Sequence, residues 1–208
     1  GDEKIEVPEE ITTQMADEVE PEVDLERDLD VLQRLDPNFI NDPVRLYLRE
    51  ITQADYAVIA KILQDDDAMF AYNGAFSDEE VAQWFDNLMT QYQTRGFSLW
   101  AVVLKETDQV VGQCGLTLQQ VQGETVTEIG YLFNRDYWHQ GYAIEAAQAC
   151  KTYAFDVLGI DRVFSIIRDN NLASMNVAIR NSMTVRTKFI KTYRGLEMSH
   201  FAFAVDKS

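Results

Sequence analysis

Between Glu124 and Asn134 the chain alternates, with Thr127, Ile129, Tyr131 and Phe133 on one side and Glu128, Gly130 and Leu132 on the other. A period of two over that length predicts a strand. From Ala143 the period changes: Ala143, Ala147, Cys150, Ala154 and Val157 recur at helical spacing, with Gly141 standing between the two patterns. A strand that passes through a glycine turn into a helix leaves the first helical N–H groups unpartnered, and these, with the helix dipole, attract an anion. Glycine lets a ligand approach the backbone closely, and Ala143 keeps the first turn free of bulk. Taken alone, the same pattern also suits a plain connection between two elements.

The rest of the chain reads as short elements with clear punctuation. Val44 to Ile51 is strand-like, and Thr52 with Asp55 forms a capping pair before Val58, Ile59, Ile62 and Leu63. Ser77 with Glu80 is a capping box, followed by the helical face Val81, Trp84, Phe85, Leu88, Met89 and Tyr92. Leu99 to Lys105, Gln109 to Val121 and the run ending at Asn134 predict a three-strand meander. After the helix opening at residue 142 come a strand at 162–168, a helix at 172–180, and strands near 184–193 and 198–205. This order predicts an α+β domain around a mixed, mostly antiparallel sheet.

Charge divides the chain. Residues 1–36 hold 14 Asp and Glu against Lys4, Arg27 and Arg34, so that −11 of the net −17 falls there. All four prolines lie within the first 43 residues. The division expected is an acidic N-terminal extension over 1–43, largely solvated, and a folded domain over 44–208. Leu25, Leu29, Leu32 and Leu35 recur at helical spacing, so 24–35 is readable as a short amphipathic helix. The acidic balance disfavours nucleic acid. No apolar run reaches the roughly 20 residues of a membrane span. With no signal-like start, the expected location is cytoplasmic. Cys114 and Cys150 fall in apolar segments and suit core packing better than reactivity, and the two His and two Cys have no metal-ligand spacing.

Three stretches carry a family resemblance: Tyr137-Trp138-His139-Gln140-Gly141-Tyr142-Ala143-Ile144-Glu145-Ala146, then Asn171-Leu172-Ala173-Ser174, then Arg180-Asn181-Ser182-Met183. In this order they resemble the GCN5-related N-acetyltransferases (GNAT) and, within them, the RimJ/RimL-like branch, over roughly Val44 to Val205. The resemblance implies a sheet splayed at an acetyl-CoA site, with acetyl-CoA as co-substrate and no metal. It implies acetyl transfer to a primary amine, most simply a protein N-terminal α-amine. Alternatives are a polyamine or aminoglycoside-type acceptor, or a non-catalytic acyl-CoA-binding module. No membrane partner is expected, and a homodimer is left open.

By the same resemblance, Trp138, His139, Gln140, Gly141, Tyr142 and Ala143 would cradle the pyrophosphate. The backbone of Tyr131, Leu132 and Phe133 would hold the pantetheine arm, with Asn171 on its other side. Asn171 is equally a helix N-cap. Glu128 is the base expected to take the amine proton, although a strand Glu is often merely solvated. Ser174 would assist the departing thiolate, or simply cap its helix. Three departures from the family pattern stand out. Gln140 replaces a basic residue, Ser182 replaces a glycine at a turn that favours positive φ, and an acidic residue used as base in some ribosomal-protein members would align near Tyr193, so that assignment does not transfer. The tyrosine acid of many other members would fall at Ala178, an absence that fits this branch.

Overall fold

The structure, a computed structural model, describes residues 4–6 and 45–208. Among them eight strands form one sheet: β1 (Lys4–Glu6), β2 (Leu46–Glu50), β3 (Leu99–Leu104), β4 (Val110–Val121), β5 (Glu124–Phe133), β6 (Arg162–Arg168), β7 (Thr184–Tyr193) and β8 (Leu196–Asp206). The spatial order is β1-β2-β3-β4-β5-β6-β8-β7. Neighbours are antiparallel throughout except β5 and β6, which run parallel.

Four α-helices cover the sheet: α1 (Tyr56–Leu63), α2 (Asp78–Arg95), α3 (Tyr142–Thr152) and α4 (Leu172–Arg180). The strand pleat assigns them to faces. Leu99, Ala101 and Val103 of β3 pack with α1 and α2 through Ile59, Leu63, Val81, Phe85 and Leu88. Trp100 and Val102, one residue out of step, pack on the opposite face with Ala146, Ala147, Ala149 and Cys150 of α3 and Ala178 of α4. Small residues along α3 let it lie close to the sheet. Cys114 and Cys150 meet there with sulfurs 3.6 Å apart, and burial pushes the Cys114 thiol well up, as suits packing rather than reactivity.

Caps mark the helix ends as the residue types dictate. Ser77 Oγ accepts from Glu80 N–H (3.2 Å) while Glu80 returns a carboxylate to Ser77 N–H (3.1 Å). The Thr52–Asp55 box is present too, but it opens a 3-10 turn (Gln53–Asp55) ahead of α1, and Asp55 also clasps Arg49 at 2.7 and 2.8 Å. Asn171 caps α4, its Oδ1 accepting from Ser174 N–H at 3.1 Å. Past the end of α4, Ser182 has φ +64°, in the left-handed region where glycine is at ease.

Strand ends move by a residue or two from the expected bounds, and α3 continues into a π-helical turn (Tyr153–Val157) that apolar spacing does not reveal. Three residues of the acidic extension, Lys4–Glu6, pair with β2, Ile5 standing opposite Leu48. The helix expected at 24–35 lies outside the described residues. No helix among the described residues is long and apolar enough to cross a membrane.

Candidate active site

The parallel junction is where the sheet opens. β4 pairs with β5 along the whole of β5, from Glu124 to Phe133, yet β5 and β6 pair only at Glu128 and Phe164. Two side-chain links stand where the ladder stops: Ser165 Oγ donates to Ile129 O (3.3 Å), and Ile166 N–H donates to Glu128 Oε2 (3.3 Å). Beyond them no described residue pairs with the edge of β5. Asn134 N–H donates to Val111 O on the β4 side, so ladder alternation turns the backbone groups of Tyr131 and Phe133 toward the opening. Phe133 O accepts from Trp138 Nε1 there (3.0 Å), leaving the Tyr131 groups and Phe133 N–H for another partner. The same alternation aims the backbone of Leu132 at β4, so Leu132 offers a side chain to the opening instead of the expected backbone contact.

At the end of β5 the chain turns through residues 138–141 into α3. Gly141 is the N-cap residue, with φ +80°, and His139 has φ +62°. Among the described residues the N–H groups of His139, Gln140, Gly141, Tyr142 and Ala143 donate to nothing, which leaves a helix start of the kind that favours an anion. A basic side chain from another element, ion-paired to Glu145, stands beside this turn. Arg45 Nη1 donates to Gln140 O (2.8 Å), and its guanidinium lies over the Tyr142 ring at 4.5 Å. Buried Glu145 of α3 holds Arg45 in place, accepting from its backbone N–H (2.9 Å) and its Nε (3.0 Å). A row of free N–H groups beside a guanidinium fits a pyrophosphate.

A cavity of about 510 Å³ opens from the splay between α2 and the β6–β8 half of the sheet. It brings together Glu128, Tyr131, Leu132, Asn171 and Ser174. Phe133 is instead buried in the α3-side core, and the 138–143 turn lies outside the cavity. Glu128 reaches over Gly130: its Oε1 is 3.4 Å from where a Gly130 Cβ would sit, in van der Waals contact. Burial pushes the Glu128 carboxyl up to about 7, against the pull of the Lys191 ammonium and the Ile166 N–H. A carboxyl so placed exchanges a proton readily near neutrality.

Tyr131 OH donates to Ser174 O at 3.4 Å, and burial keeps its phenol well above the usual range. Tyr193 lines the cavity and meets Tyr72 edge-on (5.7 Å), so an aromatic wall stands where some relatives would place an acid. Trp84, another wall residue, donates from Nε1 to Gln113 Oε1 at 3.2 Å. Sequence reasoning missed Arg45, Lys191, Arg168 and this aromatic wall. A hundred residues separate Arg45 from Glu145, and no local spacing announces such a pair. Among the described residues no group of three or more His, Cys, Asp and Glu is placed to hold a metal ion.

A splayed parallel junction beside an anion-binding helix start defines an acyl-CoA-dependent transferase. The family model described as an acetyltransferase (GNAT) domain matches residues 45–184, and the chain belongs to that family. It is an acetyl-CoA-dependent N-acetyltransferase. It is 36% identical over 140 residues to the Bacillus subtilis (strain 168) protein YkkB, covering 67% of this chain and 81% of that one. Solved structures with the same fold include the ribosomal-protein-S5-alanine acetyltransferase of Vibrio fischeri (15% identity, TM-score 0.64, 79% of this chain and 94% of that one). Another is RimL, a ribosomal L7/L12 α-N-protein acetyltransferase in complex with coenzyme A (18% identity, TM-score 0.63, 79% and 95%).

Proposed function

We propose that this enzyme acetylates the α-amino group of a protein or peptide N-terminus, with Glu128 as the base. The observation that carries the reading is the Glu128 carboxyl, pushed up to about 7 at the vertex of the splay and open to the cavity. An α-amino group titrates near 8 and a lysine or polyamine amine above about 10, so a base near 7 is matched to the former.

Each residue then has a definable task. The N–H groups of 139–143 and the Arg45 guanidinium hold the pyrophosphate. The free backbone groups of Tyr131 and Phe133 align the pantetheine arm as an added strand, and one of their N–H groups polarises the thioester carbonyl. The amine nitrogen bonds to the carbonyl carbon as the C–S bond breaks. One amine proton passes to Glu128, and the departing thiolate takes a proton from the Ser174 hydroxyl, which regains one from water. Asn171 spends Oδ1 on its cap and keeps its amide nitrogen for the ligand. The names of RimL and the S5-alanine enzyme support a protein N-terminus as acceptor.

A CoA-release assay tests the reading. A peptide with a free N-terminus should turn over, its N-blocked twin should not, and spermidine should be far slower. Equal rates with the blocked twin, or a preference for spermidine, overturn the assignment.

A further inference from the structure

The molecule carries a net charge of −17, yet the wall of its acceptor cavity is not acidic. Two carboxylates line that cavity, Glu128 and Glu80. Glu80 is ion-paired to Arg194. Glu128 is partly satisfied by Ile166 N–H. Facing them are two cations, Arg168 of β6 and Lys191 of β7. Arg168 is tied by its Nη1 to Phe70 O at 3.0 Å. Lys191 is half-buried and makes no hydrogen bond or ion pair among the described residues. Next to it His200 is buried, with Nδ1 against Met198 O (2.9 Å). Burial and the nearby Lys191 and Arg168 keep its ring neutral at pH 7. Lys191 acts on Glu128 only through space, so its ammonium donors stay available to a second anion at this end of the cavity.

An ammonium that lines the cavity and makes no hydrogen bond among the described residues can donate to an incoming anion. Resting on the reading above, we propose that the acceptor carries a carboxylate close to its reacting amine, and that Lys191 selects it. The acceptor on this account is an N-terminus with Asp or Glu among its first residues, not the basic peptide that the net charge suggests. The cavity has room for the first residues of such a peptide. Glu128 takes the amine proton on one side, while Lys191, across the same space, meets the carboxylate. The acidic surface would slow the approach of such a substrate, so selection rests on the fit inside the cavity and not on steering.

The test compares four acceptors by CoA release at saturating acetyl-CoA: a C-terminally amidated peptide with Asp at its second position, the Asn twin, the N-acetylated Asp peptide, and free aspartate. The Asp peptide should exceed the Asn twin by about tenfold in kcat/KM, carried mainly by KM and shrinking with added salt. Lys191→Met should bring that ratio toward one, and Lys191→Glu should invert it. If Lys191 serves only to tune Glu128, both variants shift the pH profile of the two peptides alike and leave their ratio intact, which overturns the proposal. Equal wild-type rates for the Asp and Asn peptides overturn it without touching the α-amine reading, and need no variant to fold. Free aspartate faster than the Asp peptide confirms carboxylate selection and assigns it to a small molecule. No turnover with any free amine overturns the α-amine reading and this proposal together.

Discussion

Burial raises the Glu128 carboxyl, and three neighbours at different distances along the chain adjoin it or pull against that rise. Gly130, two residues on, leaves the space its carboxylate occupies; Ile166 donates an N–H; and Lys191 faces it from β7. Because burial raises the carboxyl to about 7, kcat/KM should climb with pH through about 7 as the base ionises, and again near 8 as the amine loses its proton. Glu128→Gln should lower turnover roughly a hundredfold or more and remove the lower limb, with acetyl-CoA affinity nearly unchanged. A pH–rate profile of the variant that keeps both limbs would dismiss Glu128 as base. Stability runs the opposite way. A raised folded pKa means that the folded chain holds this proton more tightly, so the contribution is fully present below about 4.5 and is lost as pH rises through about 7. At residue level, strand alternation with the family resemblance singled out Glu128 as a candidate, whereas neither pointed to Lys191 or Arg168. Each sits on a strand whose alternation does not tell which side meets a distant helix.

At the scale of elements, local chemistry announced most of the fold. The helix at 172–180 and the strands at 162–168 and 184–193 fall where period and caps place them. The splay was legible only through family likeness, since nothing in residues 124–134 says that its parallel neighbour pairs at a single point. The turn into α3 shows the same division. Gly141 and the small residues after it mark an anion site, but the Arg45–Glu145 pair that braces it joins the start of β2 to the middle of α3's first turns. Arg45 is 34% exposed at its side chain, so solvent screens part of its effect. Arg45→Ala removes both a positive charge and a clamp on Gln140 O, and should weaken acetyl-CoA binding about tenfold by calorimetry. A near-normal affinity would mean that the backbone N–H groups suffice.

For the whole molecule, the proposed reading has one sheet serve two substrates from two sides of a single discontinuity. The α3 side supplies packing and the anion site; the α2 side supplies a cavity for the amine; the splay between β5 and β6 joins them. Most of the net charge sits in residues 1–36, while the cavity wall carries Lys191 and Arg168 beside Glu80 and Glu128. The central claim is that acetyl-CoA occupies this discontinuity, its arm paired to the free edge of β5. Amide hydrogen exchange with and without acetyl-CoA tests it directly. The account predicts added protection at Tyr131 and Phe133 and across 139–143, with little change at Leu132, whose backbone is already paired to β4. Unchanged exchange at those amides, with protection appearing elsewhere, would contradict it.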